Sequence, residues 1–165
     1  METKNLLFSQ ELELTIETYF SAAHSYHREE LDEEENRKLF GEYYSIYPHG
    51  HNYKLIVSVR GTVNPKDGMI INFHHLEEKI NAFIMRELHY TYLNLQVEYF
   101  RYHTPTTEHI CLYLWGRIGE ILLPLILYKI RLYEDETLYV ECKYDDEEEN
   151  EKREGSGGFL LLTSV

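Results

Sequence analysis

Two histidines one residue apart, His49 and His51, open the stretch YPHGHNYKLIV. Because side chains alternate between the faces of a β-strand, both imidazoles share the face of Tyr53. His24 follows another alternating stretch, LELTIETYF, in phase with its apolar residues. Antiparallel pairing of the two stretches would bring the three imidazoles together. Three neutral imidazoles with an open fourth position are typical of a catalytic zinc site, whereas a closed structural site favours cysteines.

A single histidine on an apolar face is more often a core residue that is hydrogen-bonded to the backbone than a metal ligand. The H-x-H spacing, with a third histidine on the neighbouring strand, favours metal binding over that interpretation. The other six histidines of the chain, such as His74, His75 and His103, show no comparable convergence. We expect them to lie on the surface.

Hydrophobic periodicity predicts the elements that must position these residues. Period-two alternation indicates strands at 12–20, from 49 to 59, at 126–134 and at 138–144. Helical spacing indicates one helix from 73 to 88 and a second that starts at 105 and ends near 124. One apolar stripe is expected on the first helix, formed by Phe73, Leu76, Ile80, Phe83, Ile84 and Leu88. The segment 25–48 has no sustained period and is predicted to be a long connection with one helical turn.

The order strand, strand, helix, helix, strand, strand predicts an α+β fold. We expect a four-stranded antiparallel sheet whose two helices, placed between the second and third strands, pack on one face. Such a sheet has two open edges, and pairing with other copies of the chain would cover them.

The chain has 165 residues, a length typical of one domain, and we place that domain at 8–144. Residues 145–165 begin with DDEEENEKRE and continue with GSGG, a composition that predicts an acidic, disordered tail. The formal charge of −13 argues against nucleic acid or an anionic membrane as a partner.

The chain has two cysteines, Cys111 and Cys142, and its opening METKNLLFSQ lacks the blocks of a secretory signal. These features favour a reducing, cytoplasmic setting. No apolar run approaches the roughly 20 residues that a membrane span needs. We assign the two cysteines no role.

Five stretches occur in a distinctive order: FSAAHSYHREELDEEENRKLFG, HGHNYKLIVSVRGTVNPKDGMIIN, VEYF, TPTTEH and LYKIRLYE. In order and spacing they resemble the animal type of the 6-pyruvoyl tetrahydropterin synthase family, from about Phe8 to Tyr144. The resemblance implies the T-fold, in which trimers close a twelve-stranded barrel and two trimers stack into a hexamer. It also implies a zinc-dependent lyase of tetrahydrobiopterin biosynthesis, which eliminates triphosphate from 7,8-dihydroneopterin triphosphate.

The resemblance also implies roles for individual residues. His24, His49 and His51 occupy the family's zinc-ligand positions. Glu134 occupies the position that anchors the pterin, helped by Thr107 and Glu108 in the TTE motif. Without the family, Glu134 would pass for a surface carboxylate at a strand end. Its position in phase with apolar residues instead requires a polar partner.

The proton carriers of the family are a cysteine before H-x-H and an Asp-His pair after the first helix. In this chain Tyr43 stands at the cysteine position, and His89 and Tyr90 stand at the pair. A positioned general acid or base contributes a factor of about 10² to 10⁴ in rate. His89, with an ordinary pKa of about 6.5, is the best substitute, because a phenol with a pKa near 10 is a poor base. Glu42 and Tyr44 flank the lost cysteine and could also reach the site, but the pattern favours a solvated loop for both.

Three hypotheses follow. The first is the family lyase with an altered proton relay. The second is a catalytically inactive paralogue that retains zinc and pterin binding. The third is altered chemistry at the same site, such as cleavage of the dihydroneopterin side chain.

Overall fold

The structure is a computed structural model that describes residues 10–144. The first two residues of the predicted domain and the predicted tail at 145–165 lie outside the described residues.

Two long strands form the centre of the sheet. β1 (Glu11–His24) and β2 (His49–Thr62) pair antiparallel along their whole length, with Phe20 opposite Tyr53 and His24 opposite His49. Apolar side chains of β1 alternate with exposed ones, as the period of two predicts. The shared core-facing phase of the two strands therefore continues without interruption to the histidines.

Three further strands complete the sheet, in the order β3-β1-β2-β4-β5. β4 (Ile126–Tyr133) pairs antiparallel with β2, and β5 (Tyr139–Lys143) pairs antiparallel with β4. The predicted four-stranded antiparallel core is thus confirmed. The structure adds β3 (Thr91–Tyr92), a two-residue strand parallel to β1, which is too short to produce a periodic signal.

Within residues 10–144, four α-helices accompany the sheet: α1 (Glu33–Phe40), α2 (Phe73–Glu87), α3 (Leu93–Gln96) and α4 (Thr107–Leu122). Turns of 3₁₀ helix occur at Gly41–Tyr43 and Glu98–Arg101. The two long helices, α2 and α4, lie between β2 and β4 in the chain and share one hydrophobic core with the sheet. Side-chain caps start both helices, Asn72 at α2 and Thr106 at α4.

Helix α1 is longer than the single turn predicted for this connection. Asp32 and Glu35 form a reciprocal capping box at its start. Asn36 is fully buried: it accepts a hydrogen bond from the Arg28 N–H and donates to three backbone carbonyls of residues 28, 31 and 32. This asparagine therefore ties the turn after β1 to the helix.

Strand β4 departs from the predicted alternation. A register shift opposite Ser58 and Val59 leaves Tyr128 unpaired with β2 and places its ring against the Arg60 guanidinium. Leu127, one residue earlier, is buried instead. An extra residue in one strand changes which side chains face the core, and sequence alternation does not reveal it.

Helix α2 also corrects one prediction. Phe73 is 61% exposed, whereas the other members of the predicted stripe are buried. Phe73 is the first residue of the helix, and the buried stripe begins three residues later at Leu76.

The two cysteines lie against each other, with 3.4 Å between their Sγ atoms. Cys111 on α4 is fully buried, Cys142 on β5 is half-buried, and burial raises the pKa of the Cys111 thiol. Within 10–144, no helix is both long and apolar enough to cross a membrane.

Candidate functional site

Three imidazoles meet where β1 ends and β2 begins. The register places His24 opposite His49 and Ala22 opposite His51, with the three side chains on one face. One nitrogen from each ring lies within 4.8 Å of the other two. The ring centroids are 4.5 Å apart for His24 and His49, 5.1 Å for His24 and His51, and 5.0 Å for His49 and His51.

The hydrogen bonding of His24 fits a metal ligand. Its Nδ1 lies 2.6 Å from the Pro105 carbonyl oxygen, so the neutral ring donates its Nδ1–H there and leaves a lone pair on Nε2. Burial lowers the pKa of His24, which keeps the ring neutral at neutral pH.

Two nitrogens of the cluster lack a partner. The Nε2 atoms of His24 and His51 are buried and accept no hydrogen bond from any described residue. Such atoms cost free energy unless a ligand satisfies them. His49, by contrast, is exposed, so the cluster opens to the surface on its side. The donor set and its orphaned lone pairs fit a divalent metal such as zinc, with one side left open.

Glu134 borders this cluster. Its Oε1 lies 3.5 Å from His51 Nε2, and its Oε2 accepts a hydrogen bond from the Thr107 hydroxyl. The Glu134 side chain is 11% exposed and Thr107 is 3% exposed. Because Thr107 is the first residue of α4, the positive end of the helix dipole also faces this carboxylate. The turn 105–107 thus contacts both His24 and Glu134.

Glu108, the third residue expected at this site, is exposed. Its charge helps to raise the pKa of Tyr26, which places the two side chains within electrostatic reach of each other. The structure therefore brings Glu134, Thr107 and Glu108 to the side of the cluster where α4 begins.

Tyr26 is a site residue that the sequence analysis missed. Its ring centroid lies 5.4 Å from that of His24, 6.4 Å from that of His49 and 6.1 Å from that of Tyr43. Burial, followed by the charges of Glu134 and Glu108, raises its pKa to about 12. Tyr26 lies two residues after His24, so continued strand parity was a signal for it.

Comparison with known proteins identifies the family. The family model described as 6-pyruvoyl tetrahydropterin synthase matches residues 13–145. The 6-pyruvoyl tetrahydrobiopterin synthase of Homo sapiens is 37% identical over 124 residues, which cover 75% of this chain and 86% of the human protein. The chain belongs to the 6-pyruvoyl tetrahydropterin synthase family.

Two further relatives agree with this assignment. The 6-pyruvoyl tetrahydrobiopterin synthase of Drosophila melanogaster is 36% identical over 122 residues, 73% of each chain. The solved structure of Caenorhabditis elegans 6-pyruvoyl tetrahydropterin synthase superposes with a TM-score of 0.75 at 27% identity, covering 82% of this chain and 97% of that one. The T-fold expected for the family is therefore confirmed for the single chain.

The three residues that the sequence analysis expects at the relay positions lie in two places. Tyr43 is 69% exposed and contacts the ring of Tyr26, so one aromatic ring separates it from the histidines. His89 and Tyr90 lie at the edge of β1 that faces away from β2. There the Nδ1 of His89 accepts a hydrogen bond from the Ser21 N–H, and the Tyr90 N–H donates to the Ser21 carbonyl.

The rings of His89 and Tyr90 contact each other, with centroids 3.8 Å apart, and Tyr90 is 81% exposed. Within the described part of one chain, neither ring stacks on or hydrogen-bonds to the histidine cluster, although Tyr90 and His51 line the same cavity. Tyr43 is thus the substituted position that the single chain brings towards the cluster.

Proposed function

We propose that this protein is a zinc-dependent lyase of the 6-pyruvoyl tetrahydropterin synthase type. It would eliminate triphosphate from 7,8-dihydroneopterin triphosphate in tetrahydrobiopterin biosynthesis. The observation that carries the proposal is that the candidate metal site and the candidate pterin anchor lie side by side. Three histidine nitrogens lie within 4.8 Å of one another, and a nearly buried carboxylate lies 3.5 Å from one of them.

His24, His49 and His51 would hold the zinc ion. When bound, zinc acts as a Lewis acid that polarises oxygen atoms of the substrate side chain and makes the neighbouring C–H protons removable. The Pro105 carbonyl keeps the His24 ring oriented with Nε2 towards the metal.

Glu134 would anchor the pterin. A carboxylate accepts hydrogen bonds from the N–H groups of a pterin ring, and Thr107 holds one of its oxygens in place. Because Glu134 borders His51, a pterin held there would extend its side chain towards the metal site. Glu108, exposed at the same turn, is the second anionic group that the ring would meet.

The proton relay is the part of the site that has changed. Tyr43 would take the place of the family's cysteine, and His89 with Tyr90 that of the Asp-His pair. His89 and Tyr90 lie at a sheet edge, so they would reach a cluster on a neighbouring subunit. Their position at a sheet edge supports a homohexamer built from two trimers, each closing a twelve-stranded barrel. The location we propose for this assembly is the cytoplasm. Light scattering should then give six times the 19.8 kDa of the chain.

An inactive paralogue that keeps zinc and pterin is the second candidate. The separation of His89 and Tyr90 from the cluster within one chain, and the exposure of Tyr43, favour it. In this case the protein would act by binding, or by mixing into hexamers of an active relative.

The deciding experiment measures release of inorganic triphosphate from 7,8-dihydroneopterin triphosphate by the zinc-loaded protein. His49→Ala should remove the metal and the activity together, whereas His75→Ala, which changes an exposed histidine of α2, should alter neither. Zinc-loaded protein that releases no triphosphate would contradict the lyase and favour the inactive paralogue. Cleavage of the substrate side chain instead would indicate the altered chemistry.

A further inference from the structure

Tyr53 has a ring whose position is explained by packing. It lies on β2, is 0% exposed, and stacks on Phe20 with centroids 5.0 Å apart at 16°. Its ring also contacts those of His51, at 5.6 Å, and His24, at 6.4 Å. A phenylalanine would make all of these contacts, so packing alone does not account for the hydroxyl.

The hydroxyl of Tyr53 has no hydrogen-bond partner among the described residues. A buried phenol that neither donates nor accepts is unfavourable, and such groups are rare in folded proteins. Three other buried or half-buried hydroxyls do have partners: Tyr113 donates to Glu87, Thr107 to Glu134, and Thr18 to Asn81.

The unpartnered atoms are clustered. Over residues 10–144, three buried side-chain atoms lack a partner: His24 Nε2, His51 Nε2 and the Tyr53 hydroxyl. The three rings that carry them are mutual neighbours. A metal satisfies the two imidazole lone pairs, because both are acceptors. It leaves the phenol O–H, a donor, still in need of an acceptor.

We propose that Tyr53 is a ligand-binding residue whose hydroxyl donates a hydrogen bond to an oxygen atom of the bound pterin compound. The inference rests on the proposed function, because it needs a ligand bound beside the histidine cluster and Glu134. Tyr53 would donate a hydrogen bond beside His24 and His51, while the Glu134 carboxylate would accept one. The two groups therefore select different atoms of the same ligand.

The test uses Tyr53→Phe, which keeps the ring and removes only the hydroxyl. The matched control is Tyr113→Phe, which removes a hydroxyl that donates to Glu87 at 2.7 Å, away from the histidine cluster. Three quantities are measured for parent and variants: the urea midpoint of the metal-free protein, the zinc dissociation constant, and the calorimetric dissociation constant for 7,8-dihydroneopterin with zinc-loaded protein.

We expect Tyr53→Phe to weaken 7,8-dihydroneopterin binding about two- to tenfold, which is the affinity typically lost with one hydrogen bond. Its urea midpoint should stay the same or rise, since the free protein loses only an unsatisfied group, and its zinc affinity should be unchanged. Tyr113→Phe should show the opposite pattern, a lower midpoint with unchanged ligand affinity.

Four outcomes would overturn the proposal. A lower urea midpoint for Tyr53→Phe with parental ligand affinity would mean that the hydroxyl bonds an internal water. Weaker zinc binding with parental ligand affinity would assign it to solvent at the metal. If the parent binds no 7,8-dihydroneopterin, the proposed function fails and the inference fails with it, whereas equal binding by parent and variant would defeat the inference alone.

Discussion

Oε1 of Glu134 lies 3.5 Å from Nε2 of His51, so the candidate pterin anchor and the candidate metal site share a wall. His51 lies on β2 and Glu134 directly follows the neighbouring strand β4, and the α4 residue Thr107 holds the other oxygen of the carboxylate. A ligand that reaches one group is therefore within contact distance of the other.

Zinc should stabilise the fold. We expect the free energy of unfolding to rise by about 2.7 kcal/mol when free zinc is about 100 times its dissociation constant. Thermal unfolding at increasing zinc concentrations measures this. In His51→Ala the rise should be lost, because one of three ligands is missing, while His75→Ala should respond as the parent does. An equal response of His51→Ala would contradict the assigned ligand set.

Glu134→Gln should separate pterin binding from metal binding. The substitution keeps the shape but removes the charge, and a hydrogen bond to a charged group is worth about 10- to 100-fold in affinity. Calorimetry with 7,8-dihydroneopterin should show this loss while zinc content stays at the parental level. Glu141→Gln serves as the control, since Glu141, on β5, pairs with Arg131 of β4. Parental affinity in Glu134→Gln would rule out the anchor.

His89→Ala tests the altered relay. If His89 carries a proton in the reaction, kcat should fall by a factor of about 10² to 10⁴ with zinc content unchanged. The Ser21 N–H would lose its acceptor at the edge of β1, so a urea midpoint must accompany the rate. His103→Ala, which removes a ring stacked on Tyr99, is the comparison. A variant as active as the parent would make His89 irrelevant.

Asn36→Ala should destabilise the protein. Its side-chain amide bonds backbone groups at four points and is fully buried, so its loss leaves buried groups unsatisfied at a cost of about 1 to 3 kcal/mol. Urea unfolding measures this, with Lys38→Ala, an exposed position on the same helix, as the control. Equal midpoints for the two variants would show that the turn folds without Asn36.

The alternation of side chains along the strands was the sequence signal that predicted most of the candidate site. It placed His24, His49 and His51 on one face because β1 and β2 alternate without interruption over 14 residues each. It failed at Tyr128, where a bulge changes the facing of side chains without any local signal. Glu134 remained in phase because it lies beyond the bulge, on the same side as Ile130 and Leu132.

Other features depended on contacts that a sequence does not display. Asn36 is an ordinary polar residue in a charged segment, and only the turn at Arg28 makes it a core residue. Tyr26 is in phase with His24, two residues earlier, so alternation places it on the face of the site. However, residues 25–48 show no sustained period, so the sequence did not predict that the extended chain continues to Tyr26. The positions of His89 and Tyr90 relative to a catalytic centre depend on more than one copy of the chain, if the proposed assembly is right.

The Nδ1–H of His24 donates its hydrogen bond to a backbone carbonyl, that of Pro105. A carbonyl is present whatever residue occupies the position, so no single side-chain exchange can delete this hydrogen bond. Pro105 is itself buried, so its replacement is limited by volume and backbone shape. Saturation mutagenesis would accordingly find position 105 limited by volume, backbone shape and burial, while every tolerated residue would still offer its carbonyl to the candidate metal ligand His24.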